Sequence, residues 1–371
     1  MSRKIRKNLL DSREGRKKKV ERDLRHLQLD LQDRPDHPFV MFNLGMTYAD
    51  IEQFDEAARW LCRSLEVSDP GESHVRKVYS LLVNTYVNLE RLAEASSVCE
   101  RGLSLYPKDP ELLFRRGILL HRMGKLAESA ASYKAALGTD DEEKYFSSRD
   151  RGIVGFKARH NLAMVYLDMD RADLAEVQAR IIQREVPRYR PAQRMLADSL
   201  LRQQKFTSAR IEAERMLESA ELRSEGVVLL AQIAEGQGDW DEARKILQDA
   251  VAIDASDNTV LEVLCRHLFD HGQPAEAREA FFKLVQRKPN DGAAHYNLAQ
   301  VYLREGNTQA AVESFQESLR QRPNHAPTYI MLGYTLRALG NMPEAIAAWR
   351  EAARLAPTDP LPKKLLEEFD R

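Results

Sequence analysis

Asp168-Met169-Asp170 is the arrangement in this chain nearest to a reaction centre. Two carboxylates one residue apart can ligate the divalent ion that holds a nucleotide-sugar diphosphate. Such a site needs a strand leading into it, and none is patterned here; Asp is equally a turn former, bonding its own backbone two residues on. The chain holds no G-x-G-x-x-G, G-x-x-x-x-G-K, G-x-S-x-G or H-E-x-x-H, so phosphate-cradle, serine-hydrolase and zinc-protease chemistry have no seat. His267 and His271 stand one helical turn apart, but no third ligand accompanies them and they are expected as a surface pair. Cys62, Cys99 and Cys265 are odd in number and lack C-x-x-C spacing, which argues against a disulfide framework or a zinc knuckle. The expectation is a protein that is not an enzyme, with no catalytic residue, no metal and no cofactor.

Composition narrows the class further. The 371 residues are 43% apolar and 30% charged, with 56 Lys and Arg against 57 Asp and Glu, a folded rather than a disordered balance. Residues 1–20 hold nine Lys or Arg and two Asp or Glu. Any attraction to nucleic acid would be confined to that tail, which lacks interleaved aromatics to stack bases, so nucleic acid is not the expected partner. No apolar h-region follows the N-terminus, and no run approaches the ~20 apolar residues that span a bilayer. A reducing, cytoplasmic location is expected.

The elements that must position any site come from a 34-residue period. Repeats begin at Pro38, Arg76, Pro110, Phe156, Arg190, Ser224, Asn258, Gly292 and Ala326, and nine of them tile residues 38–359. The pattern is clearest where Tyr302, Ala311, Phe315 and Pro323 take positions 11, 20, 24 and 32. Small residues at positions 8 and 20 let two helices, A and B, approach closely, while bulky residues at 4, 7, 11 and 24 fill the space around them. Prolines obey the register: Pro107, Pro187, Pro289, Pro323 and Pro357 fall at position 32, and Pro274 and Pro343 open B helices, where proline is tolerated. Asp168 and Asp170 fall at the A–B turn of the fourth unit, and Cys99 and Cys265 at core positions 24 and 8, where a thiol is inert.

This register resembles the tetratricopeptide repeat. The resemblance implies an all-α, right-handed α-solenoid of nine helix-turn-helix repeats with helical caps. Residues 1–19 read as a basic flexible tail. Residues 20–37 read as an N-terminal capping helix with Val20, Leu24, Leu27 and Leu31 on one face, and 360–371 as a C-terminal capping helix. Four extra residues near Pro70–Ser73 and an insertion within 138–155, carrying Asp140 to Glu143 and then Tyr145 and Phe146, break the period and read as loops. In this family the A helices line the concave groove, so positions 2, 5, 6 and 9 form the implied site. They supply Asn43, Lys77, Asn84, Arg115, Lys157, His160 and Asn161, with Asn297 further on. This basic, amide-bearing set suits a protein or extended peptide, acidic for preference. The five-residue carboxylate clamp of chaperone-binding members is absent.

A narrower likeness runs through Arg22-Asp23-Leu24, Phe42-Asn43-Leu44-Gly45, Ser73-His74-Val75-Arg76-Lys77 and Gly155-Phe156-Lys157-Ala158-Arg159-His160-Asn161. It resembles the repeat region that follows the catalytic domain of some bacterial family 2 glycosyltransferases. Two function classes follow: a non-catalytic scaffold for a protein partner, or a stand-alone accessory module that binds a glycosyltransferase or its acceptor.

Overall fold

The computed structural model describes residues 13–139, 151–272 and 274–369; they are almost wholly helical, with no strand among them. Two compact units divide the chain at Gln203. The first holds α1 (Arg13–Asp33), α2 (Pro38–Asp50), α3 (Phe54–Val67), α4 (Val75–Asn88), α5 (Leu92–Leu105), α6 (Pro110–Arg122), α7 (Leu126–Leu137), α8 (Phe156–Asp168), α9 (Ala172–Glu185) and α10 (Arg190–Arg202). The second holds α11 (Phe206–Leu217), α12 (Arg223–Gly236), α13 (Trp240–Ile253), α14 (Asn258–His271), α15 (Pro274–Arg287), α16 (Gly292–Arg304), α17 (Thr308–Gln321), α18 (Ala326–Ala338), α19 (Met342–Leu355) and α20 (Pro360–Phe369). In each unit consecutive helices pack on one another, as short connections between antiparallel helices require.

The helices start and stop where the sequence dictates. Asp109, Asp239, Asp257, Asp291 and Asn307 accept hydrogen bonds from first-turn amides, satisfying donors that no turn of helix can reach. At position 15 of eight repeats the chain adopts a left-handed residue to reverse direction, while Gly272 in the seventh holds φ −99°. Gly124, Gly238, Gly306 and Gly340 fill it with φ of +72° to +81°, whereas Glu52, Glu90, Asp170 and Gln204 hold φ of 56° to 61° there. A side chain in that region costs ~1–2 kcal/mol that glycine does not. Asp170 is therefore a turn residue.

Packing within a hairpin is keyed by size. A Cβ added to Gly45, Gly117 or Gly333 at position 8 would lie 2.5, 2.6 or 2.3 Å from Leu61, Tyr133 or Trp349 at position 24 of the same repeat. The smallest residue thus faces the largest, and Trp349 is completely buried with Nε1 donating to the Ile330 carbonyl at 3.3 Å. Serines at position 27 tie the helices together, Ser64 Oγ donating to the Pro38 carbonyl and Ser318 Oγ to that of Gly292.

The caps differ in extent from expectation. Val20, Leu24, Leu27 and Leu31 are the half-buried stripe of α1 against α2. The helix nevertheless begins at Arg13, seven residues inside the segment read as a tail, because its Lys- and Arg-rich first turns propagate helix without any apolar periodicity to announce it. Residues 1–12 lie outside the described residues. At the other end Leu365 of α20 is buried in the cluster around Trp349. The acidic run 140–143 with Tyr145 and Phe146 also lies outside the described residues. The end of that insertion is not a solvated loop: Arg151–Val154 forms a 3-10 turn packed on α6, α7 and α8, with Ile153 buried.

The cysteines follow expectation and one histidine does not. Cys99 and Cys265 are buried, and burial pushes their thiols up to about 11 and about 12. His267 is buried rather than on the surface. Its Nδ1 lies 2.7 Å from Glu235 Oε1 on the preceding A helix, and its ring meets that of His271, which stacks on Trp240 at 3.9 Å. The helical spacing of the pair was legible; the neighbouring A helix that covers His267 was not.

Candidate binding groove

Groove positions in the first unit converge on a carboxylate that sequence reasoning passed over. Lys77 on α4 reaches along the stack to Glu111 on α6, Nζ to Oε1 2.5 Å, and the Glu111 side chain is only 8% exposed. Both residues hold position 2 of successive repeats. Arg115, one turn along α6, lies 3.9 Å from the same Glu111 oxygen and donates through Nη1 to Asn84 Oδ1 at 2.8 Å. Lys77, Asn84 and Arg115 are thus one array, held together by a buried anion. The signal that could have found it was Glu111 itself, an acidic residue at position 2 among cationic neighbours.

The array continues through Tyr133. Asn161 on α8 hydrogen-bonds the Tyr133 hydroxyl. Burial raises the phenol's pKa, while the Asn161 bond and the nearby Arg115 charge oppose it. Gly117 leaves the space that the Tyr133 ring fills, so the hairpin's packing sets the height of a polar group on its groove side.

His160 and Lys157 form a second patch on α8. The His160 ring meets Tyr189 edge-on at 5.7 Å, and Phe156 meets the same Tyr189 at 4.8 Å. Burial lowers the His160 pKa, and its Nδ1 has no hydrogen-bond partner among the described residues. Lys157 is exposed beside Tyr189, whose hydroxyl is pushed up by burial and drawn back by the lysine charge. Arg159 points the other way, to Gln178 Oε1 at 3.2 Å and Glu185 at 3.7 Å on α9, so its unusual charge at position 4 ties two helices of one repeat. Asn43 on α2 is half-buried and separate from both patches, its backbone carbonyl taken by Thr47.

In the second unit Asn297 lines a cleft of about 180 Å³ with Glu262, Arg266 and Phe269 of α14, floored by Phe281 and Leu284. Lys288 Nζ donates to Glu262, and the Arg304 guanidinium lies 3.5 Å from the centre of the Phe269 ring. Arg266 is exposed at position 9, and Glu262 holds position 5. Their positions in the repeat, 5 and 9, are the signal in the sequence that marks both.

The D-x-D pair has a structural occupation. Asp168 Oδ2 lies 2.6 Å from His121 Nε2 at the end of α6, and Asp170 is the left-handed turn residue. Among the described residues no cluster of three or more His, Cys, Asp or Glu is placed to hold a metal ion. None of their helices is long and apolar enough to cross a membrane.

These helix pairs, their turns and their keyed cores define a helical repeat protein, and family comparison places the chain within one class. Tetratricopeptide repeat profiles match residues 40–69, 81–143, 194–258, 264–326 and 302–368, and the chain belongs to the tetratricopeptide repeat family. Among curated proteins it is similar to protein O-mannosyl-transferase TMTC3 of Mus musculus, 26% identical over 163 residues, which is 41% of this chain and 16% of that protein. Among solved structures it is similar to a tetratricopeptide repeat protein of Parabacteroides merdae (17% identity, 70% of this chain and 98% of that one, TM-score 0.49). It is also similar to MamA (18% identity, 44% of this chain and 95% of that one, TM-score 0.39).

Proposed function

We propose that the chain is a non-catalytic scaffold that holds a protein or extended peptide partner along the A helices of its first unit. The observation that supports this reading is the run of polar groups from Lys77 through Glu111, Arg115 and Asn84 to Tyr133 and Asn161, with Lys157 and His160 alongside. Donors and acceptors fixed on successive helices suit a backbone laid across them, since a preorganised array loses little entropy on binding. The ligand's acidic groups meet Lys157, which is exposed on α8, and its amides meet Asn84 and Asn161. Asn43 and Asn297 extend the same groove positions in the first and eighth repeats. The test is calorimetric titration of a partner recovered by affinity capture against Lys157→Ala, an exposed residue outside the Glu111 array. Binding weakened at least tenfold with unchanged melting supports the groove; parental affinity refutes it.

A second reading rests on the likeness to an O-mannosyl-transferase. The chain would serve as an accessory arm of a glycosyltransferase system, including those of the bacterial family 2 type, binding the enzyme or its acceptor. Recovery of a glycosyltransferase as the captured partner favours it. Sugar-nucleotide turnover by the purified chain, lost on Asp168→Ala, would defeat both readings.

A further inference from the structure

A cleft of about 830 Å³ opens between the B helices α13 and α15 of the second unit, on the side away from the A-helix groove. Leu261, Leu264 and Leu268 of α14 lie beneath it, almost wholly buried, and half-buried Val251, exposed Ala252 and buried Ala280 line its sides. Small walls over an aliphatic floor leave room for the large side chains of something else.

The rim is charged and unevenly satisfied. Arg244 is bound to Asp241 at 2.5 Å and spans the cleft to Glu276 at 3.8 Å, while Lys283 is bound to Glu279 at 2.8 Å. Lys245 on α13 and Arg287 on α15 also line the cleft and make no hydrogen bond or ion pair among the described residues. The rim thus carries four cationic side chains against three acidic ones, a net charge of +1, with Lys245 on one wall and Arg287, whose charge also acts on Asp254, on the other. Beside the end of the cleft marked by Ala252 and Ala255, Ile253 is the most exposed large apolar side chain among the described residues, at 85%.

The walls run from Asp241 to Ala255 and from Glu276 to Arg287, each presenting residues at helical spacing. At 1.5 Å per residue the shorter wall is roughly 17 Å, about three helical turns. A trough between two helices accepts the ridge of a third helix better than an extended strand, whose unpaired amides would find no carbonyls there.

We propose that this cleft docks one face of an amphipathic helix from a partner protein, with aliphatic anchors at i, i+3/4 and i+7 seated above α14 between the Val251–Ala252 and Ala280 walls, and acidic flanks against Lys245 and Arg287. The site lies on other helices than the groove of the first unit and stands or falls independently of it.

The full chain is titrated by fluorescence anisotropy with three labelled, stapled helices of about 16 residues, alike in their leucine stripe and flanked by Glu, Ser or Lys. The Glu-flanked helix is expected to bind at least tenfold more tightly than the Lys-flanked one. Ala252→Trp, at an exposed wall position, should abolish binding with melting unchanged, and Lys245→Glu/Arg287→Glu should reverse the flank preference. Arg266→Ala, in the second unit's A-helix cleft, should leave affinity unaltered. No saturable binding of any helix would overturn the assignment. So would binding that survives Ala252→Trp, equal affinity for all flanks, or an Ala252→Trp-sensitive attachment to phosphatidylserine vesicles in place of the helices.

Discussion

Replacing Lys77 by Met tests whether the groove array of the first unit is structural as well as exposed to ligand. The Lys77 side chain is 27% exposed and Glu111 8%, so the pair lies between a surface ion pair, worth ~0–1 kcal/mol, and a fully buried one, whose breakage costs ~3–5 kcal/mol. Arg115 at 3.9 Å remains to share the Glu111 carboxylate, which lowers the expected loss to about 1.5–3 kcal/mol. In a unit of about 200 residues each kcal/mol moves the melting temperature by roughly 2–4 °C, so calorimetry of the full chain should show the first unit's transition falling by about 3–12 °C. Lys77→Met/Glu111→Leu, which removes both charges, should return within ~1 kcal/mol of the parent, because a matched apolar pair replaces a buried ion pair at little cost. A Lys77→Met variant that melts within ~1 °C of the parent, or a coupling energy under ~0.5 kcal/mol, would show that Glu111 needs no partner and would remove the physical basis of the array.

Gly333→Ala should destabilise the C-terminal repeat by ~3 kcal/mol or more, since the new methyl meets the Trp349 indole at 2.3 Å and must break its bond to the Ile330 carbonyl; chemical denaturation followed by Trp fluorescence reads the change. Glu90→Gly at a left-handed turn should be neutral or stabilising by up to ~1 kcal/mol, whereas Glu100→Gly in the interior of α5 should cost ~1 kcal/mol, and a reversed order in the urea midpoints would contradict the turn assignment. Burial lowers the pKa of His74, which packs against Phe39 and Phe42, and of His160 below the usual 6.5. The unfolded chain therefore takes up protons first, and stability should fall as pH drops through 6.5 towards the folded values; His160→Phe should flatten part of that slope in urea midpoints measured from pH 7 to pH 5.

The helices and their pairing were legible because a hairpin announces itself three times over, in its small residues at 8 and 20, its turn at 15 and its proline at 32. What a period cannot reveal is a polar helix that buries little, which is why α1 begins at Arg13 instead of residue 20. The groove was legible by position but not by state. Lys77 and Arg115 stand at groove positions, yet their charges are spoken for by Glu111, a contact between residues 34 apart that exists only once two repeats are stacked. His267 was misread for the same reason, since Glu235 reaches it from the preceding repeat.

The fit of Gly45 to Leu61, Gly117 to Tyr133 and Gly333 to Trp349 bears on how such a chain can be inherited. Each pair is a private lock whose two halves lie sixteen residues apart within one hairpin. A crossover between α18 and α19 that set the second half of this repeat behind the first half of most others would place Trp349 opposite Val83, Ala163, Ala197, Ala231, Cys265 or Ala299 and jam the hairpin. A crossover at the proline between repeats leaves every lock with its own key. Exchange of whole hairpins keeps every such lock matched, and the proline that stands at position 32 in five of the nine repeats marks a seam along which such a protein can be cut and lengthened.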